Sequence, residues 1–158
     1  MPDSFKYKAF ISYSHQDKKW GDWLHKKLET YQVPKNLVGT QTAYYNYLPH
    51  RLIPIFRDRE ELATSSELGK QINEALKNSS HLIVICSPRA AKSQWVNQEI
   101  LEFKRLGKTN RILCLIVDGE PNGSEKPGLK EMECFPDAIK YKLDSDGNLS
   151  SSPAEPIA

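Results

Sequence analysis

The chain has 158 residues, with 22 lysines and arginines against 20 aspartates and glutamates, a formal charge of +2 and 39% hydrophobic residues. That profile predicts one soluble globular domain with a core large enough to need no disulfide or metal, and it excludes disordered, collagen-like and coiled-coil chains. The balanced charge argues against a nucleic-acid binder, which gathers basic residues into a patch or arm. The longest apolar runs, 82–86 and 112–117, fall far below the ~20 residues that span a bilayer, and no apolar leader opens the sequence. Neither nucleic acid nor membrane is therefore expected as a partner. The three cysteines, Cys86, Cys114 and Cys134, are odd in number and widely spaced, and read as reduced core residues of a cytoplasmic protein. The four histidines show no zinc-ligand spacing, so no metal is expected.

The first element is a short strand over 8–13, ended by the polar run 14–17. Trp20, Trp23, Leu24, Leu28 and Tyr31 then recur at helical spacing, with Asp17 as N-cap and Pro34 as stop. Residues 32–51, with Pro34, Gly39, Pro49 and Tyr44, Tyr45 and Tyr47, are too long for a tight turn and too aromatic for a linker. They are expected as an insertion folded onto the surface. A strand follows over 52–56. Its Pro54 cannot donate to a ladder, which puts it at a sheet edge. Past the loop 57–65, Ser66 is placed to cap a helix with Leu68, Ile72, Ala75 and Leu76 inside.

The runs 82–86 and 112–117 read as strands covered on both faces. Between them a helix starting near Ser93 or Trp95 carries Val96, Ile100, Phe103 and Leu106, and stops at Gly107. Residues 118–137 show no helical pattern. Ile139, Tyr141 and Leu143 alternate with polar residues as a final strand, and 144–158, rich in Ser, Pro, Asp and Gly, read as a tail or linker after a domain of residues 1–143. No internal repeat is visible.

Strands alternating with helices imply an α/β fold with a parallel sheet and right-handed crossovers. Two fully apolar strands belong at its centre, and the proline strand at its edge. The flavodoxin-like order 2-1-3-4-5, with five strands in three layers, meets both demands. Ligands of such sheets bind outside the strands' carboxyl ends where the order reverses, here between the first and third strands. Ser12, Tyr13, Ser14 and His15 leave one of those ends, Ser87 and Arg89 the other, and Ser93, Trp95 and Glu99 begin the nearby helix. Helical spacing leaves two readings of Glu99: an exposed acid behind an anchoring Trp95, or a carboxylate beside an aromatic wall. Arg57, Arg59, Arg89 and Lys92 flank the mouth, either as solvated charge or as contacts for a pyrophosphate. No phosphate loop, dinucleotide-binding glycine turn or nucleophile elbow is present. Ser12, Tyr13 and Ser14 stand where a phosphoaspartate receiver needs acids.

Three segments together, 8–13, 56–62 and 93–100, resemble the boxes of bacterial Toll/interleukin-1 receptor (TIR) domains, with similarity running over roughly 6–143. The resemblance implies a NAD+ nucleosidase that cleaves the nicotinamide–ribose bond, giving nicotinamide and ADP-ribose or a cyclic ADP-ribose, with NAD+ as substrate and no cofactor. It implies Glu99 as the catalytic carboxylate, from its place in Ser-x-Trp-x-x-x-Glu. Trp95 would wall the nicotinamide–ribose pocket, Ser12, Tyr13 and Ser14 would line its floor, and Ser87 and Ser93 would add polar contacts. Arg57, Asp58, Arg59 and Glu60 match the family's gating and assembly loop. Activation by TIR self-association, in bacterial immune signalling such as antiphage defence, is the corresponding biology. The alternative is a non-enzymatic adaptor acting through TIR–TIR contacts. The insertion at 32–51, the absence of Pro or Gly near Ala63 and Thr64, and the lack of a helix after Leu143 depart from the family pattern. A longer parent chain, with this domain as its N-terminal effector, is expected.

Overall fold

A computed structural model describes residues 5–45, 47–57 and 66–158. Strand β1 (Tyr7–Ser12) leads through a 3-10 turn at His15–Asp17 into helix α1 (Lys18–Thr30). Then come β2 (Ile55–Arg57), α2 (Ser66–Lys77), β3 (Ser79–Cys86), a four-residue helix α3 (Pro88–Ala91), α4 (Gln94–Arg105) and β4 (Ile112–Ile116). The chain closes with α5 (Asp137–Lys140), β5 (Tyr141–Leu143) and β6 (Leu149–Pro153).

Four parallel strands form the main sheet in the order β2-β1-β3-β4, with Phe10 opposite Phe56 and Leu82, and Leu82 opposite Ile112. Because side chains alternate along a strand, β1 divides its residues between two cores. Phe10 faces α2 and α4 with Leu82, Val84 and Cys86, against Ile72, Leu76, Val96, Ile100 and Phe103. Ala9, Ile11 and Tyr13 face the other way with Ile55 and Ile85, under Trp20, Leu24 and Leu28 of α1. Each fully buried aliphatic or aromatic side chain is worth roughly 1.5–3 kcal/mol, so the two cores fix both helix layers. Ile72, Ala75 and Leu76 of α2 are buried as expected. The expected cap at Ser66 and the Leu68 side chain lie outside the described atoms.

The edge position of β2 is as its proline requires, and Lys8 N–H donates to the Pro54 carbonyl at 2.9 Å. The stretch 32–51 is folded onto the body. Gln32 bridges Arg51, the Tyr44 ring meets His81 edge-on at 4.7 Å, and the Lys8 ammonium lies over the Tyr45 ring, while Tyr47 is exposed.

Four expectations are corrected. The fifth strand does not join the sheet: β5 pairs antiparallel with β6 in a separate two-stranded sheet, and Ile139 is a buried residue of α5. β4 is consequently an edge strand instead of a doubly covered one, with Leu113 39% and Ile116 37% exposed. Residues 144–158, expected as a tail, supply β6 and then a strap. The Cys114 N–H donates to the Ile157 carbonyl at 2.8 Å, and Ile157 bridges Leu113 in parallel, where a fifth strand would lie. Finally, a short helix, α3, fills the interval between β3 and α4, because Ser87 caps it and Pro88 at its first position is preset for a helix.

Candidate functional site

The carboxyl ends of β1 and β3 lie side by side, Ser12 opposite Val84. Ser12 continues the Phe10 face of β1 and so points toward α4, where Glu99 sits among Val96, Ile100 and Phe103 on the buried stripe. The Ser12 hydroxyl donates to Glu99 Oε1 at 2.7 Å. Glu99 is 3% exposed and Ser12 fully buried, which removes the reading of Glu99 as a solvated surface acid. Burying a carboxylate is costly, and groups held that way concentrate where chemistry is done.

Trp95, one turn before Glu99, stands between two cavities. One, of about 200 Å³, lies between α2 and α4 and is lined by Gly69, Asn73, Trp95 and Glu99 among others. The other is a polar cleft of about 620 Å³ at the loop ends, bordered by Ser14, His15, Arg89, Lys92, Ser93 and Trp95. Ser93 caps α4, its hydroxyl accepting from Val96 N–H at 3.2 Å, and Ser14 caps the His15–Asp17 turn. Both therefore hold their positions at the rim through backbone contacts.

The remaining expected residues lie elsewhere. Tyr13 is on the opposite sheet face from Ser12, and its ring packs against Gly21 of α1, where an added Cβ would lie 3.0 Å from it. It is not part of the floor beneath Glu99. Ser87 is fully buried, caps α3, and donates to Asp17 Oδ2 at 2.5 Å. Arg57 pairs with Asp22 of α1. Asp58, Arg59 and Glu60 lie outside the described residues.

The sequence offers Asp17 only as the cap of α1. It occupies the position before α1, but its side chain makes no cap hydrogen bond; it is 2% exposed and accepts from Ser87 and from Arg89 Nε, the latter at 2.7 Å. Asp17 lies past the end of the β1 pattern, and nothing local signals an inward turn. The hydrogen bond from Arg89 to Asp17 raises the arginine's already high pKa. Among the described residues, no group of three His, Cys, Asp or Glu side chains is placed to hold a metal ion, and no helix is long and apolar enough to cross a membrane.

A TIR-domain family profile matches residues 9–142. The chain belongs to the TIR domain family. A curated relative of this TIR domain is the NAD(+) hydrolase ApTIR of Actinoplanes sp., 33% identical over 115 residues, which is 73% of this chain and 14% of the relative. The chain thus spans about one-seventh of that protein's length. Among solved structures, the TIR domains of the activated Roq1 resistosome recognising the effector XopQ superpose with a TM-score of 0.52 at 17% identity, over 80% of this chain and 66% of theirs. That likeness is one of fold.

Proposed function

We propose that this TIR domain hydrolyses the N-glycosidic bond of NAD+, with Glu99 as its catalytic carboxylate. The observation that carries the reading is a buried Glu99, held by Ser12 at the sheet's switch point and bordered by Trp95. The similarity to a NAD(+) hydrolase over 73% of the chain supports it.

Nicotinamide bound to ribose is a cationic leaving group, so the reaction needs no strong nucleophile. The C1′–N bond breaks with its electron pair passing to nicotinamide, and the positive charge moves onto the ribose, as in glycoside hydrolysis. A carboxylate ~4 Å from that charge at an effective dielectric of ~20 contributes about 4 kcal/mol. Realised mainly in the transition state, this is on the order of 10³ in rate. Ser12 fixes the carboxylate, Trp95 walls the nicotinamide side, and Ser14 and Ser93 offer hydroxyls at the rim. Water adding at C1′ and losing a proton gives ADP-ribose; the adenine ring adding instead gives a cyclic product. Self-association of TIR domains, with the 57–60 segment at the contact, is the proposed trigger.

Nicotinamide release from NAD+ by concentrated protein tests the reading, with products separated by chromatography. Glu99→Gln is expected to lower the rate about 10³-fold. Equal release by both proteins removes Glu99 from the mechanism. No release from the associated wild type favours an adaptor working by TIR–TIR contact alone.

A further inference from the structure

Arg89 differs from the other cations of the cleft in how it is held. Its Nε donates to Asp17, a carboxylate 2% exposed that is also gripped by Ser87. This side of the guanidinium is locked into the protein. Its Nη1 donates at 3.2 Å to Asp118, whose side chain is 49% exposed. The arginine itself stays 35% exposed and borders the cleft of about 620 Å³ next to Trp95. The two acids therefore do different work. The buried pair orients Arg89, whereas an exposed pair such as Arg89–Asp118 is worth at most about 1 kcal/mol and is exchanged at little cost.

Resting on the NAD+ reading above, we infer that Arg89 recognises the diphosphate bridge of the dinucleotide, with Asp118 as a counter-ion that the diphosphate displaces. A diphosphate brings two charges and a set of acceptor oxygens that suit the planar fork of a guanidinium, against one charge on Asp118. Preorientation by Asp17 lowers the entropy lost when the contact forms. Glu99, in the cavity between α2 and α4, and Trp95, which borders both cavities, then act on the ribose and nicotinamide while Arg89 holds the bridge in the polar cleft. Lys92 has no such anchor: its partner Glu131 lies at 3.2 Å with side-chain exposures of 70% and 82% for the two.

The test is titration of ADP-ribose by calorimetry into the intact chain and three variants. Arg89→Gln is expected to weaken binding about tenfold, the scale of one lost charge-assisted contact. Asp118→Asn is expected to tighten it roughly twofold or more, since the asparagine carbonyl still accepts from Gly119 N–H, as Asp118 Oδ1 does at 2.8 Å. Glu131→Gln, removing the exposed acid paired with Lys92, is expected to leave it unchanged. Arg89→Gln leaves Asp17 buried without its ion pair, so its fold is checked by thermal melting, and Asp118→Asn carries the test if that variant unfolds. Asp118→Asn binding no tighter than wild type, Glu131→Gln tightening as much as Asp118→Asn, or no binding by wild type each overturns the inference. Binding that follows the expected order without nicotinamide release would instead remove the hydrolase reading and leave Arg89 as a diphosphate-binding residue.

Discussion

Ser12 reaches Glu99 because two periodicities coincide. The two-residue repeat of β1 turns Phe10 and Ser12 to one face, and the 3.6-residue repeat of α4 sets Glu99 within reach of Val96 and Phe103 on its inner side. A serine replaces an apolar residue where the strand ends, and a glutamate interrupts an apolar stripe. Ser12→Ala removes a donor to the carboxylate while keeping the packing, and is expected to lower nicotinamide release about tenfold. An unchanged rate would make the serine a packing residue only. The cysteines differ as strongly from one another. Hydrogen bonding with Cys114 and burial push the Cys86 thiol well up, and the same hydrogen bond lowers that of Cys114, with the nearby Lys104 charge acting in the same direction. Burial raises Cys134 to about 11. The thiolate is the reactive form, so mass spectrometry after iodoacetamide at pH 8 should show Cys114 modified first and Cys86 last. Earlier labelling of Cys86 or Cys134 contradicts this ordering.

At the scale of elements, one lysine outside every sequence pattern holds three backbone carbonyls at the junction of α2 and β3. Lys108, 9% exposed, donates to the carbonyls of Leu76, Lys77 and Ser79 at 2.9, 3.3 and 2.7 Å. It thereby closes the carboxyl end of α2, where a cation also meets the helix dipole favourably, and ties it to the start of β3. Lys108→Met keeps the aliphatic stem and strips those donors. It should cost about 3 kcal/mol and lower Tm by roughly 6–12 °C; a Tm within 2 °C of wild type would show that water replaces the amine. A second tie joins the irregular stretch after β4 to α5: Lys140 meets Glu133 at 3.1 Å, and both contact Ser124. Burial alone would raise the Glu133 pKa, but the Ser124 hydroxyl, the Phe135 N–H and Lys140 together hold it below its usual 4.5. Its folded pKa is thus lower than its unfolded one. Its stabilisation is fully present above about pH 4.5 and is lost as pH falls through the depressed value. The Tm of Glu133→Gln should accordingly fall less steeply than that of wild type on acidification from pH 5 to 3. Parallel curves would show that Glu133 is not the titrating group.

For the whole molecule, the main consequence of the fold is an open sheet edge. With β5 outside the sheet, β4 keeps Leu113 and Ile116 partly exposed, and the strap at 154–157 covers the edge through one backbone hydrogen bond at Cys114, above a cavity of about 430 Å³ that Ile112, Cys114, Ile139 and Ile157 help to line. Open apolar edges invite strand pairing between chains. Removing 154–158 should therefore raise the average mass in sedimentation velocity at a given concentration, and equal masses for the two proteins would show that the strap guards nothing. Pattern and proline sufficed for the order of the first four strands, since β3 is apolar on both faces and Pro54 must sit where its missing N–H is not needed, although the equally apolar β4 is the sheet's other edge. The first and third strand ends and the helix carrying Glu99 were likewise legible, because each depends on local periodicity and on the switch point that strand order creates. The fate of residues after Ile116 was not, because alternation at Ile139, Tyr141 and Leu143 does not say which partner a strand pairs with. Nor could local spacing tell that Tyr13 leaves the site for the α1 face, or that Asp17 turns inward to Ser87 and Arg89 across some 70 residues of chain. The sequence by itself determined strands β1 to β4, helices α1, α2 and α4 and the order of those strands, and it named the strand ends where a site was expected, all from properties of neighbouring residues. The tertiary structure alone decided which polar side chains meet there, because the hydrogen bonds that bury Glu99 and Asp17 join residues far apart in the chain.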